Sequence, residues 1–100
     1  MLCHFLARQV IPFSEAGIAS YAPRESGVYG IYNSKEWIYI GEAKDMEARL
    51  YEHLRLQSNQ GVRISRRNPT YFIFERCDYL TRISREAELI RELDPTCNRT

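Results

Sequence analysis

The sequence predicts an α+β domain, a small and mainly antiparallel sheet with helices packed against it. Three observations carry that prediction. Two short runs rich in Val, Ile, Tyr and Trp, at 27–32 and 36–41, are joined by Asn33, Ser34 and Lys35 and read as a hairpin. A third run, TYFIFE at 70–75, arrives only after a long polar connection. Two stretches with apolar residues at helical spacing follow the second and third runs.

Taken in order, residues 1–25 carry turn signals at Pro12, Gly17 and Pro23, with a short helix expected over Ser14 to Ser20. In the hairpin, a three-residue loop pairs Tyr32 with Glu36 and sets Tyr29 opposite Tyr39. Both hydroxyls then share a face with Ile31 and Trp37, while Val28, Ile38 and Ile40 take the other. A two- or four-residue loop would give Tyr32 the face of Tyr39 instead. Asp45 is a sound N-cap for a helix from Met46 to about Leu56, with Met46, Leu50 and Leu54 as its buried stripe. The segment QSNQGVRISRRNP is polar, has breakers at Gly61 and Pro69, and offers at most a short turn at 62–64. After the third strand, Leu80, Ile83, Ala87, Ile90 and Leu93 keep a helical period that stops before Pro95.

A chain of 100 residues is expected to be one domain, 1–100, with length for a real core. No run approaches the ~20 apolar residues of a membrane span, and the opening MLCHFLARQV does not read as a signal peptide. Cys3, Cys77 and Cys97 have no metal-type spacing, which fits reduced thiols in a cytoplasm, and Cys3 beside His4 lacks the partners of a metal site. The net charge of +1 says nothing about nucleic acid, but the distribution does. No acidic residue lies between Glu52 and Glu75, where Arg55, Arg63, Arg66 and Arg67 fall. Such a run is either a solvated loop or a surface that tracks phosphates.

Three helical residues are placed for chemistry. Arg49 and His53 are four apart and therefore stacked on one helix face. Glu86, three residues after Ile83 and four before Ile90, leaves at the shoulder of its stripe, whereas Glu88 and Glu92 point more toward water. Any one of these is commonplace. Together with hydroxyl-bearing tyrosines on a hairpin they form a set suited to phosphodiester hydrolysis. That reaction needs an activated water, a cation at the phosphoryl group and a metal for the leaving oxygen.

From Ser26 to Asn98 the chain resembles the GIY-YIG endonucleases. Gly27-Val28-Tyr29 is similar to the first motif and Tyr39-Ile40-Gly41 to the second. The loop and helix GEAKDMEARLYEHL follow, and REAELIRELDPTCN closes the pattern. The resemblance implies a three-stranded antiparallel sheet flanked by helices, with residues 1–25 as an extension and no length for a second DNA-binding domain. It implies DNA cleavage with one Mg²⁺ or Mn²⁺. The family spacing selects Tyr29 over Tyr32, making the literal Gly30-Ile31-Tyr32 a decoy. By the same resemblance Tyr29 helps deprotonate water and Tyr39 hydrogen-bonds the nucleophile or phosphate. Arg49 stabilises the pentavalent phosphate, His53 orients a tyrosine or assists proton transfer, and Glu86 holds the metal. Lys44, Arg63, Arg66, Arg67 and Asn98 complete the expected substrate-binding set.

Glu42 departs from the family pattern, which often has Lys or Ser there. It is expected to pair with Lys44, join the metal shell or reduce activity. A module that binds nucleic acid without cutting it is therefore the alternative, and a protein-interaction domain on a retired nuclease fold a third reading.

Overall fold

The computed structural model describes residues 10–99, so Cys3 and His4 lie outside the described residues. Strand β1 (Ile11–Pro12) is followed by helix α1 (Glu15–Tyr21), strands β2 (Gly27–Tyr32) and β3 (Trp37–Ala43), and helix α2 (Met46–Leu54). Helix α3 (Asn59–Ser65), strand β4 (Tyr71–Arg76), helix α4 (Tyr79–Leu93) and a 3-10 turn at Thr96–Asn98 complete the chain. Every strand pairing is antiparallel and the order across the sheet is β1-β4-β2-β3. Among the described residues, no helix is long and apolar enough to cross a membrane.

The expected sheet of three strands has a fourth. Ile11 and Pro12 pair with Phe72 and Tyr71, and Phe13 N–H donates to the Thr70 carbonyl at 2.9 Å. Two residues are too few to show an alternating pattern, so this edge carries no sequence signal. The short helix forms as expected, capped by Ser14, and Ile18 with Phe13 and Ala22 enters the core.

The hairpin keeps the predicted faces for the two tyrosines by a different route. Tyr32 pairs with Trp37, so four residues form the loop, and Asn33 Oδ1 accepts from the Lys35 and Glu36 N–H groups to shape it. That length alone would turn Tyr39 away from Tyr29. A bulge at Ile38 restores the phase, because Ile31 pairs with Tyr39 and Tyr29 with Gly41. Tyr29 is thus opposite Gly41, not Tyr39. Ile38 joins the cluster around Tyr29, and Trp37 crosses to the face of Val28 and Ile40.

Helices α1, α2 and α3 cover one face, over Tyr29, Ile31, Ile38, Leu50, Ile64 and Phe72. Asp45 caps α2 as predicted, accepting from Ala48 N–H. The helix ends at Leu54, ahead of Leu56 with φ 58°, and its buried residues are Met46, Leu50 and His53. The polar segment after it is a helix, not a loop. Ser58 caps α3 through Gly61 N–H, and only Ile64 of the helix contributes an apolar side chain to the core.

Helix α4 covers the other face with a different stripe from the one its apolar residues suggest. Leu80 is 78% exposed and Ile83 45%, whereas Arg85 and Leu89 are buried. The sheet dictates this rotation. On that face Val28 lies between Glu42 and Glu75. The helix turns Arg82 onto Glu42 at 2.5 Å and Arg85 onto Glu75 at 3.0 Å, since partly buried carboxylates are stabilised by cationic partners. Leu89 fills the space over Val28, Ile40 and Ile73.

Candidate active site

The YIG glycine has a steric cause. A Cβ on Gly41 would lie 2.3 Å from the Tyr29 hydroxyl oxygen, so the ring of Tyr29 crosses the strand where Gly41 has no side chain. The hydroxyl meets His53 Nε2 at 2.7 Å, beneath α2. His53 is 1% exposed, and its Nδ1 meets Ser58 Oγ at 2.7 Å. Gly61 permits that contact, because a Cβ there would stand 2.6 Å from the His53 carbonyl oxygen. Tyr39 lies diagonal to Tyr29, rings 6.3 Å apart, and packs edge-on to His53 at 5.3 Å.

Burial sets the protonation of this group. It lowers His53 to about 4, with Arg49 adding to the effect, so the imidazole is neutral at physiological pH. Burial also pushes Tyr29 well above the ordinary phenol range, helped by Tyr39 and opposed by Arg49. Tyr39 is raised too, by burial first and then by the charge of Glu86. The Arg49 guanidinium stands beside Tyr29 and donates to Glu52 at 2.6 Å.

Glu86 comes from the opposite side of the sheet. Strand β3 is an edge, and alternate backbone groups along it face outward. Asn98 takes both groups of Ile40, donating to its carbonyl at 2.9 Å and accepting its N–H at 2.8 Å. The Glu86 carboxylate lies near the backbone of Glu42, which lowers its pKa against the larger, opposite effect of burial. The edge strand thus brings a residue of α4 into the electrostatic reach of Tyr39 on the α2 face.

Around this edge the structure brings Tyr29, Tyr39, Arg49 and His53 together, with Glu86 in electrostatic reach of both tyrosines. The outer residues divide differently. Lys44 is exposed. Arg63 donates to the Arg99 carbonyl at 3.1 Å, and its charge is felt at Tyr39. Arg66 is exposed and has no partner among the described residues. Arg67 grips Glu36 with two bonds, at 3.0 and 3.2 Å. Asn98 is occupied by the strand edge. Glu42 pairs with Arg82, not Lys44, and Arg82 also donates to Ser26 Oγ at 2.9 Å. Sequence reasoning missed Arg82 and Ser58. Arg82 stands one helical turn before Glu86, and Ser58 three residues before Gly61 at a cap position, so each left a faint signal.

Of the carboxylates here, Glu42 and Glu52 have arginine partners. Glu86 has none among the described residues. It is half-buried, and burial first, then Glu42, raises its pKa. A carboxylate that is neither neutralised nor fully hydrated suits a divalent cation. Among the described residues no cluster of three or more His, Cys, Asp or Glu side chains surrounds it, so water and phosphate oxygens would complete the shell.

The model of the GIY-YIG catalytic domain matches residues 25–99. The chain belongs to the GIY-YIG family. Its fold matches the GIY-YIG N-terminal endonuclease domain of UvrC from Thermotoga maritima. A tyrosine-to-phenylalanine point mutant of that domain, bound to its catalytic divalent cation, superposes with a TM-score of 0.72 at 28% identity, covering 87% of this chain and all (100%) of that one. The magnesium-bound domain gives 0.71 at 29% identity, over 86% and 100%. No curated relative matches at a significant level. The chain is therefore a GIY-YIG nuclease domain, and the UvrC domain to which it is similar binds a catalytic divalent cation.

Proposed function

We propose that this protein is an endonuclease that hydrolyses phosphodiester bonds in DNA with one divalent cation, Mg²⁺ or Mn²⁺, held by Glu86. The observation that carries the reading is the meeting, across one edge strand, of a buried Tyr29–His53 pair and an unneutralised Glu86. Tyr29 would accept a proton from the attacking water. Tyr39, half-buried at the same edge, would hydrogen-bond the nucleophile or a phosphate oxygen. Arg49 would meet the charge that builds on the phosphoryl group, sharing its guanidinium with Glu52. His53 would hold Tyr29 in place from beneath. A cation bound at Glu86 would supply charge neutralisation at the leaving oxygen. Lys44, Arg63 and Arg66 would meet flanking phosphates, and Asn98 would act by fixing the edge of β3.

The Arg82–Glu42 pair weakens the alternative of a module that binds without cutting, because the negative charge that motivated it has a partner. One domain is the simplest organisation, since residues 11–22 share the core of the matched region. Cys77 and Cys97 are free thiols, in keeping with a cytoplasmic setting. The test is incubation with labelled branched, damaged, single-stranded and duplex DNA, and with RNA, in Mg²⁺, Mn²⁺ or EDTA. Metal-dependent nicking of DNA is expected. Binding without cleavage of any substrate would overturn the reading.

A further inference from the structure

We infer that Ser58 is a positioning residue that fixes the tautomer of His53, with the proton on Nδ1, and so leaves Tyr29 able to accept a proton. The inference rests on the proposed role of Tyr29 and begins from the donors and acceptors around the ring. A hydroxyl has one donor and two acceptor sites, and a neutral imidazole has one of each. Ser58 Oγ already accepts Gly61 N–H at 2.9 Å, as the cap of α3. Two arrangements remain for the contacts of 2.7 Å on either side of the ring. In the first, Nδ1–H donates to Ser58 Oγ and the Tyr29 hydroxyl donates to Nε2. In the second, the Ser58 hydroxyl donates to Nδ1, and Nε2–H donates to the Tyr29 oxygen.

Arg49 separates the two. Its guanidinium stands beside the Tyr29 hydroxyl and favours negative charge there. In the second arrangement the oxygen receives Nε2–H, and its own proton must turn toward the site and the guanidinium. In the first, that proton points at Nε2 and the lone pairs face the cation and the reacting water. Ser58 is half-buried, so its own hydroxyl proton has solvent to turn to. Ser58 then accepts two N–H groups, one from a helix end and one from the ring.

The proton balance follows. The attacking water gives a proton to the Tyr29 oxygen while the Tyr29 hydroxyl proton moves to Nε2. The resulting imidazolium keeps Nδ1–H on Ser58, and because burial and Arg49 disfavour that charge it is transient, its proton passing back through Tyr29 to the departing oxygen. A free phenolate in this pocket is disfavoured by the burial that raises Tyr29. In the second arrangement Nε2 already carries a proton and the relay has no terminus.

The test joins nitrogen-15 NMR of the His53 ring with single-turnover cleavage. In the parent, Nδ1 is expected to show the protonated signature and Nε2 the bare one. Ser58→Asp keeps a cap and offers only acceptors, so it should retain both the tautomer and cleavage. Ser58→Thr should do the same as the conservative rescue. Ser58→Ala removes the acceptor, should let the Nε2–H form gain population, and should slow cleavage about 10²-fold, as for a disturbed proton-transfer group. The Asp and Thr variants decide the matter if the alanine variant fails to fold. A parent spectrum with the proton on Nε2, or Ser58→Ala with an unchanged ring and rate, overturns the inference. A parent that cuts nothing defeats the nuclease reading, while the nitrogen spectrum still decides the tautomer.

Discussion

On the α2 side of the sheet a neutral series runs from buried Tyr29 to buried His53 to half-buried Ser58 and the backbone of Gly61, with the Arg49 guanidinium beside it. On the α4 side they are charged and partly open, with Arg82 against Glu42 and Glu86 beside them. The two sides share one edge strand. Burial separates their duties, because a dry neutral pair can hold a proton in one geometry, while a half-wet carboxylate can hold a cation without first losing all its hydration. Each side can be damaged without dismantling the other, which makes the contrast testable.

The largest effect is expected at Glu86. Glu86→Gln removes a carboxylate with no cationic partner among the described residues, and cleavage should fall about 10³-fold or more, with loss of Mg²⁺ binding by calorimetry. The thermal midpoint should hold, since no ion pair among the described residues is broken and no core volume is lost. The wild-type metal affinity should also weaken with acid sooner than an ordinary carboxylate would dictate. Glu86 keeps its proton to higher pH, and proton and metal compete for it. A variant that binds Mg²⁺ and cuts like the parent would move the metal elsewhere.

Next in size is the contrast between two tyrosines on one strand. Tyr29→Phe should lower cleavage by about 10²–10⁴ and leave metal binding alone. Tyr32→Phe should cut like the parent, because Tyr32 stacks with Trp37 and Tyr71 on the α4 face, ring centroids 5.1 and 5.5 Å away. The opposite order of rates would exchange their roles.

A third experiment reads the burial of His53 directly. Its folded value of about 4 lies below the ordinary 6.5. Between those pH values the unfolded chain binds a proton that the folded chain refuses, so stability falls as pH drops through the window. The loss is on the order of 3 kcal/mol when complete. Urea midpoints across that range should show it, and His53→Gln should flatten the slope. A parent whose midpoint does not move there would mean the imidazole is not held neutral.

The ease of reading these features from sequence follows their physical range. Tyr29, Tyr39, Arg49 and His53 sit on a hairpin and the helix after it, where strand parity and helical spacing fix the faces locally. The faces survive even a loop one residue longer than expected, because the bulge at Ile38 compensates for the extra residue. Helix α4 is harder. Its apolar residues Leu80 and Ile83 point outward because Glu42 and Glu75, distant in sequence, require Arg82 and Arg85. Periodicity reports which residues are apolar, and here a charge on the sheet decides the rotation. Helix α3 is hidden for a related reason: Gly61, poor in helices, is needed where the backbone of His53 passes.

The smallest effects belong to the arginines of α3 and its end, and they divide by partner. Arg66 is exposed and unpaired among the described residues, and Arg63 has only a carbonyl partner, so both keep an unneutralised charge near the edge. Arg67 holds Glu36 through both arms of its fork. Replacing Arg63 and Arg66 by Ala should flatten the plot of log affinity for duplex DNA against log salt by about 0.9 for each phosphate no longer neutralised. Binding would be measured in EDTA, and saturated single-turnover cleavage in Mg²⁺ should change little, since neither side chain stands beside Tyr29 or Glu86. Arg67→Ala should lower affinity only slightly and leave the salt slope unchanged, because it unmasks Glu36 without freeing a phosphate. If Arg67→Ala flattens the slope as much as Arg66→Ala, the Glu36 pair opens on binding, and the run tracks DNA as one continuous surface.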